Sequence, residues 1–151
     1  MEITVKTYKE LVPQELYALL QLRSQVFVVE QDCVYQDLDG KDQRAMHVLG
    51  WDRDKLVAYT RVFAPGDYFE EASIGRVVVS PEYRKHGYGK EIMRASVAHL
   101  AAHYPKKDIR LSAQCYLTQF YGELGFFEEG ESYLEDGIPH IAMVRPNDTV
   151  L

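Results

Sequence analysis

The feature that most constrains the fold is a glycine-containing turn between a buried strand and an amphipathic helix. Residues Ile74–Val79 are rich in β-branched side chains, which is typical of a strand in the middle of a sheet. Arg84-Lys85-His86-Gly87-Tyr88-Gly89 follows, and apolar residues then recur at helical spacing to about Tyr104. The predicted buried stripe of this helix is Ile92, Met93, Ser96, Val97, Leu100 and Ala101. A strand that leads through such a turn into a helix predicts an α/β fold.

The periodicity of the remaining chain predicts further strands and helices in the order β-α-β-β-β-α-β-α-β-β. At 151 residues the chain has the length of one domain, so we predict a single domain over residues 1–151. The polar stretch Glu30–Arg44 predicts a long loop, which is more often functional than not. The other predicted strands lie near Ile3 and Val5 and at Met46–Trp51, Leu56–Phe63, Ile109–Ala113, Phe126–Leu134 and Ile138–Val144, and the other helices begin at Pro13 and span Leu117–Leu124.

Composition excludes several classes of function. The 17 basic and 23 acidic side chains give a net charge of −6, which argues against general nucleic-acid binding. No apolar run approaches the roughly 20 residues of a membrane helix, and the N-terminus does not resemble a signal peptide. Cys33 and Cys115 lie far apart without metal-ligand spacing, which favours free thiols in the cytoplasm and no bound metal.

The glycine turn has the chemistry of a phosphate site. A helix N-terminus presents free N–H groups and a partial positive charge, and Gly87 and Gly89 let an anion approach the backbone. Arg84, Lys85 and Lys90 add three positive charges within seven residues. Taken alone, the segment is equally compatible with an ordinary turn with solvated basic residues. A dinucleotide fingerprint and a P-loop are both excluded, because neither glycine pattern is complete.

The spacing of two motifs identifies a family. Arg84, Gly87 and Gly89 fill the pattern Arg/Gln-x-x-Gly-x-Gly/Ala after a central strand, and Phe120–Phe126 carries an aromatic-Tyr motif followed by Gly-Phe. The chain therefore resembles the GNAT superfamily of acyl-CoA-dependent N-acetyltransferases. Three further segments resemble its ElaA-like branch: residues 27–31, 35–40 and 136–141. The resemblance implies one domain with a mixed sheet of about seven strands, flanked by helices, and a splayed central strand pair.

The resemblance also implies a division of labour in the site. Backbone N–H groups of Val77, Val78 and Val79 would hold the pantetheine arm and polarise the thioester carbonyl, as an oxyanion hole does. Tyr121 falls on the general acid that protonates the departing thiolate; read from the residues alone, it is also compatible with an aromatic core residue on a short helix. The pyrophosphate would be held by Arg84, Lys85, His86, Gly87, Tyr88, Gly89 and Lys90.

The general base is left open by the sequence. Some family members carry a glutamate early in the central strand, whereas this chain has Ser73-Ile74-Gly75-Arg76 there. Glu30, His140 and His47 are the candidate substitutes, and deprotonation through water without a dedicated residue is equally compatible. A protonated amine of pKa about 10.4 costs roughly 4–5 kcal/mol to deprotonate near pH 7, so the assignment matters.

The predicted function is transfer of an acetyl group from acetyl-CoA, without a metal, to a primary amine of a small molecule or peptide. The leading alternative is a non-catalytic acyl-CoA-binding sensor or interaction module on the same fold. A synthase that uses another acyl carrier is a second alternative. We read Asp37–Asp42 as an acidic, solvated loop that could attract a cationic acceptor, and we disfavour a nucleophilic Cys115. The acceptor is not identified, and a homodimer is one option for the assembly.

Overall fold

A computed structural model describes residues 1–150 as one seven-stranded mixed sheet with helices packed on it. The predicted α/β architecture is confirmed, and most strand boundaries fall within one or two residues of the predicted ones. The strands are β1 (Glu2–Thr7), β2 (Met46–Asp52), β3 (Lys55–Phe63), β4 (Ala72–Val79), β5 (Ile109–Gln114), β6 (Phe127–Glu135) and β7 (Ile138–Arg145), and the helices are α1 (Pro13–Arg23), α2 (Tyr88–His103) and α3 (Thr118–Gly122).

The strand order across the sheet is β1-β2-β3-β4-β5-β7-β6. Every neighbouring pair is antiparallel except β4 and β5, which are parallel. These two strands pair only at their first residues, where Ala72 lies opposite Ile109 and Ser73 lies opposite Arg110. Beyond Ser73 the strands diverge, so the predicted splayed central pair is confirmed.

A β-bulge in β4 accompanies the divergence. Val78 pairs with Tyr59, whereas Gly75 pairs with Arg61, so β4 carries one more residue than β3 between these positions. Within the bulge Arg76 has a φ of 51°, a left-handed conformation that is uncommon outside glycine. Because a bulge bends and twists its strand, it turns the second half of β4 away from β5.

The core lies on both faces of the sheet. On one face, the buried stripe of α2 packs against strands β2 to β5, and Ser96 is accommodated because its hydroxyl bonds to Thr60 at 2.6 Å. Ala101, which the spacing placed in this stripe, is exposed, so that assignment was wrong. On the other face, Leu19 and Leu22 of α1 pack against residues of β2, β3 and β4.

Helix α1 does not end where its apolar spacing ends. It continues as a π-helix over Ser24–Glu30, in which Gln31 N–H bonds to the carbonyl of Val26 at 3.1 Å. Irregular structure then extends from residue 31 to 41, as the polar sequence predicted, before a short 3₁₀ turn at Asp42–Arg44. The π-helix matters for the site because Glu30 is its last residue. Within residues 1–150, none of the helices is both long and apolar enough to cross a membrane.

Candidate active site

A cleft of about 1070 Å³ lies where β4 and β5 diverge. Twelve of the fourteen residues predicted for the site line it, although they come from five separate parts of the chain. The exceptions are His47, described below, and His86, whose ring lies 5.5 Å from that of Tyr88 and 6.4 Å from that of Tyr83. The predicted residues that line the cleft are Glu30, Val77, Val78, Val79, Arg84, Lys85, Gly87, Tyr88, Gly89, Lys90, Tyr121 and His140.

One wall of the cleft is the unpaired edge of β4. Val78 and Val79 pair with Tyr59 and Ala58 of β3 on one side, and their other side faces the gap left by β5. Backbone groups that point into this gap have no strand partner among the described residues. Since an unpaired backbone N–H group is an obligatory donor, this edge is suited to bind the carbonyl or amide oxygens of an extended ligand.

The glycine turn forms the end of the cleft at the start of α2. Gly87 caps the helix with a φ of 75°, and the first bond to the cap is from Glu91 N–H to the Gly87 carbonyl at 3.1 Å. The N–H groups before Glu91 therefore lack intrahelical acceptors. A Cβ atom at Gly87 would meet nothing within 4 Å, so the space in front of the turn is open. This geometry suits an anion at the N-terminus of a 16-residue helix.

The positive charge of the turn is smaller than the sequence indicates. Arg84 donates two hydrogen bonds to the carboxylate of Glu30, from Nη1 at 2.8 Å and from Nη2 at 2.6 Å. Lys90 is ion-paired with Glu123, whereas Lys85 forms no ion pair within residues 1–150. Hence two of the three basic residues are already neutralised by carboxylates. The hydrogen bond from Arg84 also lowers the pKa of Glu30, which makes that carboxylate a weaker base.

Tyr121 lies on α3 and lines the cleft. The residue is 6% exposed, and its ring packs edge-on against Phe120 and Phe126. Gly125, with a φ of 92°, ends this segment and lets Phe126 turn back to bond the Tyr121 carbonyl. Burial raises the pKa of the Tyr121 phenol, so the hydroxyl stays protonated near neutrality. Its hydroxyl makes no hydrogen bond to another residue of 1–150, which leaves its proton available to a ligand.

The two candidate histidines lie in different places. His140, on β7, lines the cleft; its Nδ1 lies 2.7 Å from the carbonyl of Ile138 and its Nε2 lies 3.4 Å from a carboxylate oxygen of Glu135. A carbonyl only accepts, so Nδ1 donates to it, and Nε2 is the ring nitrogen that remains for a ligand in the cleft. His47 is fully buried and does not line the cleft.

The buried environment of His47 is structural. Its Nε2 bonds to the Asp42 carbonyl at 2.9 Å and its Nδ1 bonds to the Tyr59 hydroxyl at 2.6 Å. Because the carbonyl accepts from Nε2, Nδ1 accepts from the phenol, and the ring is neutral. Burial lowers the pKa of His47. Of the two histidines, therefore, only His140 is placed to act on a ligand in the cleft.

The acidic loop is not solvated, which corrects the sequence-based interpretation. Asp37 and Asp42 are buried, and together with Asp39 they form ion pairs with three arginines of the sheet and α1. The three carboxylates and three guanidinium groups balance, so this loop does not offer a free negative surface to a cationic acceptor. The arginines are Arg23, Arg61 and Arg76.

This ion-pair network fixes one wall of the cleft. Arg76, at the bulge of β4, lies 2.7 Å from Asp37 through its Nε, and Tyr35 donates to the same carboxylate at 3.0 Å. Burial opposes ionisation of Asp39, but the hydrogen bonds from Arg61 outweigh it and lower the pKa of that carboxyl. The loop is thus held against the strand that carries the unpaired edge.

Several residues that line the cleft were not assigned a role from sequence. Cys33 donates from Sγ to the carbonyl of Asp136 at 3.2 Å, and Gln114 donates to the side chain of Gln31 at 3.3 Å. These contacts join the long loop to β5 and to the β6–β7 turn. The sequence carries a signal only for Gln31 and Asp136, which lie in segments that resemble the ElaA-like branch. Both cysteines are free, as predicted, and Cys115 does not line the cleft.

Known proteins share extended sequence similarity with this chain. The family profile described as an acetyltransferase (GNAT) domain matches residues 7–145. The chain belongs to the GNAT acetyltransferase family. Protein ElaA of Escherichia coli K12 is 47% identical over 140 residues, which cover 91% of this chain and 92% of that protein. The predicted resemblance to the ElaA-like branch is confirmed.

Solved GNAT structures share the fold of this family member along nearly its whole length. The crystal structure of Escherichia coli ElaA matches with a TM-score of 0.90 and 44% identity, covering 96% of this chain and 99% of that one. A structure described as an acyl-CoA N-acyltransferase from Pseudomonas aeruginosa matches with a TM-score of 0.90 and 41% identity, at the same coverage. This GNAT protein is therefore an acyltransferase by family, and it shares its fold with these two structures.

Proposed function

We propose that the protein transfers an acetyl group from acetyl-CoA directly to a primary amine, and that it acts in the cytoplasm. The observation that carries the proposal is the phenol of Tyr121, protonated and without a hydrogen-bond partner within residues 1–150, in the same cleft as the unpaired edge of β4. A protein that only binds acyl-CoA has no need of a proton donor at that position.

The residues of the cleft fit coenzyme A. The open space before Gly87 and the free N–H groups of the α2 N-terminus suit a pyrophosphate, and the unpaired edge of Val77–Val79 suits a pantetheine arm. When bound, the coenzyme would supply an activated acyl thioester. N–H groups of β4 would stabilise negative charge on its carbonyl oxygen, a contribution of about 2.7–4 kcal/mol per donor in other enzymes.

Two side chains would move protons. Nε2 of His140 would accept the proton of the incoming ammonium group, and the Glu135 carboxylate at 3.4 Å would then face the resulting imidazolium. Tyr121 would donate its proton to the departing thiolate. Glu30 is the other candidate base; we favour His140 because the Glu135 carboxylate beside its Nε2 would stabilise the imidazolium.

Replacement of Tyr121 by phenylalanine tests the proposal. The change keeps the ring and removes a hydroxyl without a hydrogen-bond partner, so thermal stability should be retained. If the hydroxyl protonates the thiolate, kcat should fall by about 10²–10⁴ while the Kd for acetyl-CoA changes little. Mass spectrometry with isotope-labelled acetyl-CoA and a panel of amines and peptides would first provide an acceptor for these kinetics.

A matched control is available in the same cleft. Tyr116 also lines it but is 73% exposed, so Tyr116→Phe removes a solvated hydroxyl and should leave kcat unchanged. An unaltered kcat in Tyr121→Phe would remove the phenol from catalysis. Loss of both kcat and acetyl-CoA affinity would instead make Tyr121 a binding residue and favour the acyl-CoA-binding module.

A further inference from the structure

The guanidinium group of Arg84 cannot bind a phosphate at the glycine turn while it is paired with the carboxylate of Glu30. Both terminal nitrogens of its guanidinium group donate to the two carboxylate oxygens of Glu30, at 2.8 and 2.6 Å. This bidentate geometry is also the one by which an arginine binds two oxygens of a phosphate. A carboxylate and a phosphate therefore compete for the same face of this side chain.

The placement of Glu30 makes the competition specific. Glu30 ends the π-helix that extends α1, whereas Arg84 precedes α2, so the pair joins two elements that are 54 positions apart in sequence. Both residues line the cleft, and both side chains are partly exposed, at 39% and 43%. Water and ligands can reach the pair, and exposed ion pairs are weak, so a phosphate can displace the carboxylate at small cost.

We infer that Glu30 is an internal competitor of the acyl donor: it holds Arg84 in the free protein and releases it to a phosphate of bound coenzyme A. The inference rests on the proposed function, because it takes coenzyme A as the ligand of the turn. It gives Glu30 the role of setting donor affinity through Arg84. In the absence of donor the carboxylate occupies the arginine; after donor binding it is left free on the cleft wall.

Calorimetric titration with coenzyme A tests the exchange in four variants and the wild-type protein. Glu30→Gln should bind coenzyme A about 2- to 5-fold more tightly, since an exposed ion pair no longer has to be broken. Arg84→Gln should bind more weakly, and Glu30→Gln should bring no further gain in the Arg84→Gln background. The matched control is Glu82→Gln, which removes an equal charge beside the same turn from a residue that pairs with Lys55 at 3.0 Å.

Each outcome separates the inference from the proposed function. Equal or weaker binding by Glu30→Gln, with coenzyme A still bound by the wild type, overturns the inference alone. A gain that persists with Arg84→Gln, or an equal gain in Glu82→Gln, shows general charge repulsion and also overturns it. If coenzyme A binds none of the proteins, the donor assignment fails and the inference fails with it. Unfolding curves would be recorded for every variant to check that each one is folded.

Discussion

Asp42→Asn is expected to destabilise the protein severely, although Asp42 lies outside the cleft. One oxygen of Asp42 accepts from Arg23 Nη1 at 2.7 Å and from Arg61 Nη1 at 3.0 Å, and both arginines are at most 1% exposed. The substitution keeps the shape of the side chain but leaves three guanidinium groups with two carboxylates. Breaking a buried ion pair costs about 3–5 kcal/mol, because the remaining charge is buried without compensation.

Urea unfolding followed by circular dichroism would measure the effect. We expect a loss of about 4 kcal/mol in the free energy of unfolding at an unchanged m-value, equivalent to roughly 8–16 °C in Tm for a chain of this length. Glu82→Gln breaks the exposed pair with Lys55 and should cost less than about 1 kcal/mol. A loss below about 1 kcal/mol in Asp42→Asn would refute the view that the network is a coupled buried unit.

Three further outcomes follow from the site and the core. Coenzyme A at 100 times its Kd should stabilise the fold by about 2.7 kcal/mol, and no thermal shift at millimolar concentration would contradict the phosphate site. Gly87→Asn should fold, because asparagine tolerates a φ of 75°, but should weaken coenzyme A binding at least about tenfold; wild-type affinity would place the phosphates elsewhere. Burial lowers the pKa of His47 in the folded protein, so at a pH below the ordinary histidine pKa of about 6.5 the unfolded state binds more protons than the folded state. Urea titrations should therefore show the free energy of unfolding falling from pH 7 to pH 5, and a flat profile would contradict this.

The order of strands and helices could be predicted because each element carries a local pattern. The β-branched run before Val79 and the helical stripe through Leu100 depend only on neighbouring residues, and both were found where expected. Ala101 was misplaced because a small residue at the edge of a stripe is compatible with either environment. Val77–Val79 and Arg84–Lys90 could be located because they form one strand–turn–helix unit whose motif has a fixed spacing, and Tyr121 was located by a second motif.

The ion-pair network could not be predicted because its partners have no local relationship. Arg23 sits at helical spacing on an apolar stripe, and Asp37 follows 14 positions later in a polar loop. Nothing in the sequence indicates that these groups meet in the core with Arg76, which lies a further 39 positions along the chain. Polar residues in a loop are usually solvated, which is why the sequence predicts an acidic surface; the prediction is wrong because Asp37 and Asp42 are buried in ion pairs.

The pairing of Glu30 with Arg84 could not be predicted from the sequence for a related reason. The sequence places the two residues in separate segments, Glu30 at the start of a polar stretch and Arg84 in the glycine turn, and neither segment indicates contact with the other. Only the continuation of α1 into a π-helix brings the carboxylate to the turn, and the apolar residues Val26–Val29 give no clear sign of that continuation.

The separation of β4 from β5 has a consequence for hydrogen exchange. Amide protons in the central strands of a sheet are normally among the slowest to exchange, because their bonds open only with global unfolding. Here β4 is the fourth of seven strands, yet it pairs with β5 only at Ala72 and Ser73. Amides of Val77–Val79 that face the gap should therefore exchange quickly while those bonded to β3 stay protected. Although β4 lies in the middle of the sheet, the amides on its open side should thus exchange like those of an edge strand.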